Sequence, residues 1–410
     1  MNITCLTQWF SPEPDSSRGL PFAKWLQNRG HKVTVLTGFP NYPSGVLYPG
    51  YQLRARQWDE IDGVAVLRVP LYPSHDRSAL RRATNYLSFA ASAALIGLPS
   101  IRKTDVIYVM NTPPTAGLPA LLAHTFSDIP YVFNVADIWP EAVLDSGMVT
   151  LRVMNRMLSP MLNALCRTVY GGARFVTAIS RGYKRILVER GLAEENVHAV
   201  YNWVDENMIR PEPRDDEVAA RLGLEGRFNI VYAGNMGLYQ DPHTVVRTAA
   251  LLRHIPEIQL VFVGGGLLQN EIRAHANELG LTNVKFIDAV HVCKMAAIYS
   301  LADVLLIHLI DRPFLRATVP GKTQASLAAG RPIIAACEGE SADIVREARA
   351  GLTCRPQDEG ALAACIEQLY RATSSDLQDL GRRGREFYLA NMSLEVSAPR
   401  IEKLLQQATV

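Results

Sequence analysis

The chain is 410 residues long, 48% apolar and 20% charged, with 42 Lys and Arg set against 40 Asp and Glu. That length suits two domains, each able to bury its own core, and the composition is that of a globular protein. The near-neutral charge argues against a nucleic-acid partner, and the longest uncharged apolar run, residues 86–98, falls short of the roughly 20 residues of a membrane span.

In chain order, the pattern opens with a strand at 3–6, with no basic stretch before it, so no signal peptide is expected. A loop, Ser11-Pro12-Glu13-Pro14-Asp15-Ser16-Ser17-Arg18-Gly19, leads into an amphipathic helix over 20–28 and a strand at 32–36. Strand-like runs at 64–69, 106–110, 131–135, 175–179 and 198–201 then alternate with helical periodicity at 80–97, 116–125, 151–171 and 182–191. Such alternation predicts a mostly parallel sheet, whose ligands bind beyond the carboxyl ends of the strands.

Asn202-Trp203-Val204-Asp205 closes this half, and the polar, proline-bearing stretch 211–216 reads as a linker. Residues 228–266 then repeat the opening plan: a strand, the loop Gly234-Asn235-Met236-Gly237, a helix over 244–254, a strand, and Gly264-Gly265-Gly266. Further strands are predicted at 284–287, 304–308, 332–336 and 351–354, with a last helix over 394–407. Two such openings predict an α/β protein of two Rossmann-like, doubly wound domains facing each other across a cleft. The first would span 1–205 and the second 206–393, part of the final helix packing back on the first. The first half carries 20 basic against 15 acidic residues and the second 22 against 25, an asymmetry that suits a first half near an anionic surface. The six cysteines (Cys5, Cys166, Cys293, Cys337, Cys354, Cys365) lack zinc spacing and read as buried thiols in a reducing cytoplasm.

Several motifs, in this order along the chain, resemble those of the retaining glycosyltransferases of family 4, which have the GT-B fold, and within them the bacterial branch that builds exopolysaccharide, capsule or O-antigen. They are the Ser-Pro-Glu loop with Gly19 ahead of a helix ending Arg29-Gly30-His31; Asp137-Ile138-Trp139-Pro140-Glu141; Thr177 to Ser180; Tyr201-Asn202-Trp203-Val204-Asp205; Tyr232-Ala233-Gly234-Asn235-Met236-Gly237 with Gln240; Val263-Gly264-Gly265-Gly266; Ala302-Asp303-Val304; Thr318-Val319-Pro320-Gly321-Lys322; and Leu327-Ala328-Ala329-Gly330-Arg331-Pro332.

The resemblance implies transfer of a sugar, with retention, from a nucleotide-diphosphate sugar to an acceptor hydroxyl. The donor would be UDP-linked, N-acetylated and deoxy sugars included, and the acceptor an undecaprenyl-diphosphate-linked saccharide at the cytoplasmic membrane face. Charge grows on the leaving β-phosphate, so positive potential has to be fixed there. Lys322, with Val319 and Pro320 before it, is placed for that role; the bland alternative is a solvated surface lysine. Gly234, Asn235, Gly237 and Gln240, with Gly264 and Gly265, would let the diphosphate approach the backbone, or be ligand-free tight turns. Gly339-Glu340-Ser341 would offer more N–H groups, Glu340 touching a sugar hydroxyl, or form an ordinary helix cap. Arg18 and Gly19 would cover the donor phosphate, unless Arg18 is an ordinary solvated loop residue; backbone near Val290 would read the base.

Asp137 is the candidate for orienting or deprotonating the acceptor hydroxyl, with the cap of a helix starting near Pro140 as its other reading. Trp139 would stack on a sugar face, with Glu13 and Asn111 as further acceptor contacts. No nucleophile is assigned, and the lack of an Asp-x-Asp motif fits catalysis without metal or cofactor. The chain departs from the family where paired glutamates are usual, having Ala317 and Ala325, and where a basic residue is usual, having Leu238 and Tyr239; Arg316 or Arg18 would compensate. Arg77, Arg81 and Arg82 adjoin apolar positions Leu80, Ala83, Leu87, Ala90 and Ala94 at helical spacing, which suits either an interfacial helix on anionic lipid or a core helix covering the sheet. Two rival functions share this architecture: a nucleotide-sugar 2-epimerase, whose His/Glu signature is not seen, and a catalytically silent nucleotide-sugar-binding protein.

Overall fold

The computed structural model describes residues 1–14, 18–76, 78–101, 103–110, 113–144 and 152–410; Arg77 and Asn111 lie outside these. The chain divides into two compact units, Met1–Tyr201 with Ser397–Val410, and Asn202–Val396.

The first unit is built on eight strands: β1 (Asn2–Leu6), β2 (Lys32–Gly38), β3 (Gln57–Ile61), β4 (Val64–Val69), β5 (Val106–Val109), β6 (Tyr131–Val135), β7 (Phe175–Ala178) and β8 (Val197–Ala199). Their order is β3-β4-β2-β1-β5-β6-β7-β8. Strands β5 and β6 are buried at every position, as expected of parallel strands covered on both faces. The exception is β3, which runs antiparallel to β4 at the sheet edge and buries none of its residues. Its polar sequence hides it from a search for apolar runs. The signal was Asp62-Gly63, whose φ values of 49° and 81° suit a tight hairpin turn. Strand order reverses between β1 and β5, so the loops leaving those strands diverge there.

Arg18 holds this carboxyl edge together. Its side chain is buried, not solvated, and donates to Tyr108 Oη on β5 at 2.9 Å, Asn134 Oδ1 on β6 at 2.8 Å and Thr177 Oγ1 on β7 at 3.2 Å, as well as to the Val200 carbonyl. A guanidinium bonded across three strands and the chain beyond β8 is a strut, which corrects its placement over the donor phosphate. The helix Leu394–Ala408 is tied into the same unit, where Glu402 receives His31 Nε2 at 2.8 Å.

The second unit has six parallel strands: β9 (Phe228–Ala233), β10 (Ile258–Val263), β11 (Val284–Ile287), β12 (Val304–His308), β13 (Ile333–Ala336) and β14 (Gly351–Cys354). Their order, β11-β10-β9-β12-β13-β14, is that of a doubly wound sheet with its reversal between β9 and β12. One face of the core joins Tyr232, Val246, Leu260, Phe262 and Ile366.

Replacing Arg18 with Met strands several buried acceptors at once. The thermal midpoint should fall by about 6–12 °C, equivalent to roughly 3 kcal/mol. An unchanged midpoint in differential scanning calorimetry would remove the strut assignment.

Candidate active site

The carboxyl end of β9 meets that of β10 through glycines. Gly234 and Gly264 have φ values of +134° and +129°, and a Cβ on Gly264 would collide with the Gly234 carbonyl. A Cβ on Gly266 would lie 2.6 Å from Asn235 Oδ1 and from the Met236 nitrogen. Gly234 N–H donates to Val263 O at 2.9 Å, Met236 N–H to Gly265 O at 2.8 Å and Gly264 N–H to Ile287 O at 3.0 Å. The amides of Gly234 and Gly264 therefore bind neighbouring loops. The close stacking of two loops requires glycine here, and it engages the Gly234 and Gly264 amides within the loops. At Gly237 a Cβ would sit 2.8 Å from Asn235 Nδ2 and 2.9 Å from Gln240 Oε1.

Lys322 lies directly on this glycine surface. It is in the first turn of the helix Gly321–Ala329, after the buried Val319 and the cap residue Pro320. A cation in a first turn opposes the helix dipole, so the position favours an anionic partner. Its ammonium donates to Tyr232 Oη at 2.7 Å and stands 3.8 Å from the centroid of that ring. A Cβ on Gly234 would be 3.6 Å from Nζ. The residue as a whole is only half-buried, but its ammonium is enclosed, and burial pulls its pKa down to about 7. Tyr232 in turn donates its hydroxyl to Asn235 O at 2.7 Å, so one phenol links the lysine to the glycine loop.

Gln240 is held by its backbone. Its carbonyl accepts from His308 Nδ1 at 2.7 Å, while His308 Nε2 accepts from Gln357 N–H at 3.4 Å. Those two bonds define a neutral imidazole, whose pKa burial lowers. His308 ends β12 and so sits beside the strand-order reversal. The sequence reading assigned no role to Tyr232 or His308; the available signal was a hydroxyl or imidazole at or next to the carboxyl end of each of two strands.

The remaining predicted donor contacts are spread around these loops. Arg316 is exposed and forms a bidentate pair with Asp311 at 2.7 and 2.7 Å. Gly339, at φ +83°, is required because the Arg316 backbone presses on it. Glu340 is buried in the first turn of the helix Glu340–Glu347, and Ser341 Oγ donates to Thr318 O at 3.1 Å, fastening that turn to the segment before Lys322. Ala317 and Ala325 are buried. Val290 is half-buried past the end of β11.

In the first unit Glu13 is 3% exposed and accepts N–H bonds from Phe10 at 3.0 Å, Asn41 at 2.7 Å and Tyr42 at 2.7 Å. Burial raises its pKa to about 7 despite those donors. It stitches two loops together, which corrects its role as an acceptor contact. Gly19 caps the helix Leu20–Asn28. Asp137 is exposed just past β6; the next helix is Glu141–Leu144, so Pro140 and not Asp137 precedes it, against the cap reading. Arg190 fixes this turn, donating to the Trp139 carbonyl and to Glu141, each at 2.5 Å. Among the described residues no three His, Cys, Asp or Glu side chains converge as a metal-binding set.

Residues 20–203 match the glycosyl transferase 4-like domain, and residues 227–372 match the glycosyl transferases group 1 domain. The chain is 25% identical to the glycosyltransferase WbjE of Pseudomonas aeruginosa over 71% of this chain and 74% of that one. It is 28% identical to the colanic acid biosynthesis glycosyl transferase WcaI of Escherichia coli over 75% of each. Among solved structures it matches Anabaena Alr3699/HepE in complex with UDP, with a TM-score of 0.72 at 16% identity over 99% of this chain and 100% of that one. It also matches the catalytic domain of starch synthase IV from Arabidopsis thaliana, with a TM-score of 0.73 at 14% identity over 100% and 99%. With a transferase domain model on each of its two parallel-sheet units, the chain belongs to the glycosyltransferases of the GT-B fold.

Proposed function

We propose that this glycosyltransferase moves a sugar, with retention and without a metal, from a UDP-sugar to a lipid-diphosphate-linked saccharide in bacterial surface polysaccharide synthesis. The observation that carries the reading is Lys322: an enclosed ammonium in a helix first turn, beside a glycine loop at the reversal of a doubly wound sheet. The UDP in the HepE structure and the colanic acid pathway in the name of WcaI support donor and product class. As the glycosidic bond to the donor breaks, the electron pair and negative charge pass to the β-phosphate. Lys322 meets that charge with its ammonium and with the positive end of its own helix. Tyr232 holds the lysine in place until then. Asp137, exposed past β6, orients the acceptor hydroxyl, and the departing phosphate takes its proton.

Lys322→Ala should lower kcat by about 10²-fold or more in an acceptor-dependent UDP-release assay. Wild-type turnover in a folded Lys322→Ala protein would refute the role, and a new nucleotide sugar without UDP release would indicate an epimerase.

The pH dependence follows from the lowered lysine. Below pH 7 the ammonium is already charged and binds the diphosphate directly. Above pH 7 binding must bring a proton, so UDP affinity should fall as pH rises from 7 toward 9, by at most about tenfold per unit. Calorimetry in buffers of different ionisation enthalpy should show proton uptake at pH 8 that vanishes in Lys322→Met.

The cytoplasmic membrane face is the proposed place of work. No helix among the described residues is long and apolar enough to cross a membrane. The helix Ala79–Ser92 and the turn Ala93–Gly97 leave Leu80, Leu87 and Leu95 exposed at 78%, 55% and 77%, with Arg81 also exposed. Arg56 donates to Ser100 Oγ at 3.5 Å, just past the end of this turn. Arg81 is paired with Asp76 at 3.0 Å, so the stripe is mainly apolar, and exposed leucines in a row suit a lipid surface. Leu87→Asp with Leu95→Asp should weaken co-sedimentation with phosphatidylglycerol vesicles by about tenfold or more. Equal binding by the double variant would reject this face.

A further inference from the structure

A second constellation lies in the first unit, at the carboxyl edge of its sheet. Four loops deliver aromatic rings there: Trp9 after β1, Tyr42 after β2, His75 after β4 and Trp139 after β6. A fifth, Tyr86, rises from the helix Ala79–Ser92 and joins them. The Trp9 ring is 5.2 Å from Tyr42, 6.4 Å from His75 and 6.2 Å from Tyr86. Tyr42 is 4.7 Å from His75, and Tyr86 is 6.3 Å from Trp139. All five are half-buried, so the cluster keeps an open face. Four of the five contacts are edge-to-face, at 69–86°, so each covers a face of only one of its two rings.

The floor next to these rings is polar. Gln8, Asn41 and Asn85 are each 1% exposed. Gln8 Nε2 donates to Asn85 Oδ1 at 2.5 Å, and Asn85 Nδ2 donates to Tyr72 O at 2.7 Å. Gln8 Oε1 and Ser74 Oγ are buried with no hydrogen-bond partner in the structure. Orphaned buried polar atoms are costly, by about 1–3 kcal/mol each, and hydroxyl groups of a ligand would relieve that cost. Aromatic faces beside unsatisfied amide and hydroxyl groups match the chemistry of a sugar ring, which has patches of C–H on its faces and hydroxyls around its rim.

We propose that this aromatic patch seats a sugar ring of the acceptor saccharide, with Trp9 and Trp139 as stacking faces and Gln8 Oε1 accepting from a sugar hydroxyl. The inference rests on the reading of the protein as a transferase with a saccharide acceptor. It adds residues outside those assigned to the donor, and it extends Trp139 from one contact to one wall of a five-ring seat. Arg82 sets the orientation of Tyr86, donating to its hydroxyl at 3.0 Å.

The test is saturation-transfer NMR on the full chain with a panel of methyl glycosides of glucose, galactose, mannose, fucose, N-acetylglucosamine and glucuronic acid. At least one glycoside should receive saturation through its ring C–H protons. That transfer should fall by about fivefold or more in Trp139→Leu and in Trp9→Leu, with Tyr42→Leu replacing either variant that fails to fold by circular dichroism. UDP affinity, measured separately by calorimetry, should stay within twofold. No transfer to any glycoside in the wild-type protein, or transfer that survives the substitutions, would overturn the seat. Displacement of the glycoside by uridine alone would also overturn it, because the rings would then be stacking a base. Glycoside transfer without UDP binding would instead count against the donor reading and leave the seat standing.

Discussion

The second unit is organised around a cation kept where it is least comfortable. Lys322 sits in a helix first turn, enclosed, with a tyrosine ring and its hydroxyl as partners. Burial disfavours the ammonium, and its lowered pKa records that cost; the helix dipole opposes a cation in a first turn as well. The surrounding structure is shaped to permit it. The loop at Gly234 lies within van der Waals reach of the lysine stem, Tyr232 links the amine to the loop backbone, and Ser341 fastens the segment that leads into the helix. An anion arriving at this place would offset that cost, because it pairs with the ammonium and with the positive end of the helix together.

Much of this was legible in the sequence, because strand–loop–helix alternation is written in apolar periodicity. All six strands of the second unit and seven of the eight in the first were placed within a few residues. The one missed, β3, lacks an apolar run and is defined by its hairpin turn and its place at the edge. The predicted long helix over 80–97 gives way at Ala93 to a wider turn, where Gly97 packs on Leu36 with no room for a Cβ.

Individual site residues were less legible, because a motif specifies a backbone shape before it specifies a ligand. The glycines after β9 and β10 are demanded by two loops in contact, whatever binds above them. Arg18 carries the charge of a phosphate ligand but spends it on Tyr108, Asn134 and Thr177, partners 90 to 159 residues away that no local pattern reveals. Glu13 likewise spends its carboxylate on three main-chain amides. The aromatic patch was visible only as Trp139, since its members are scattered from residue 9 to residue 139 and meet through the sheet.

The tail helix has a consequence for how the molecule is made. The first unit is discontinuous: its sheet comes from the start of the chain, but Glu402, the partner of His31, comes from the last few residues. During synthesis from the amino terminus, the second unit emerges whole and is free to form while the first still lacks its final piece. The half that begins first is completed last, after the whole second unit has been made. Early release of the nascent chain would leave the half-buried His31 without its carboxylate partner on an otherwise assembled sheet.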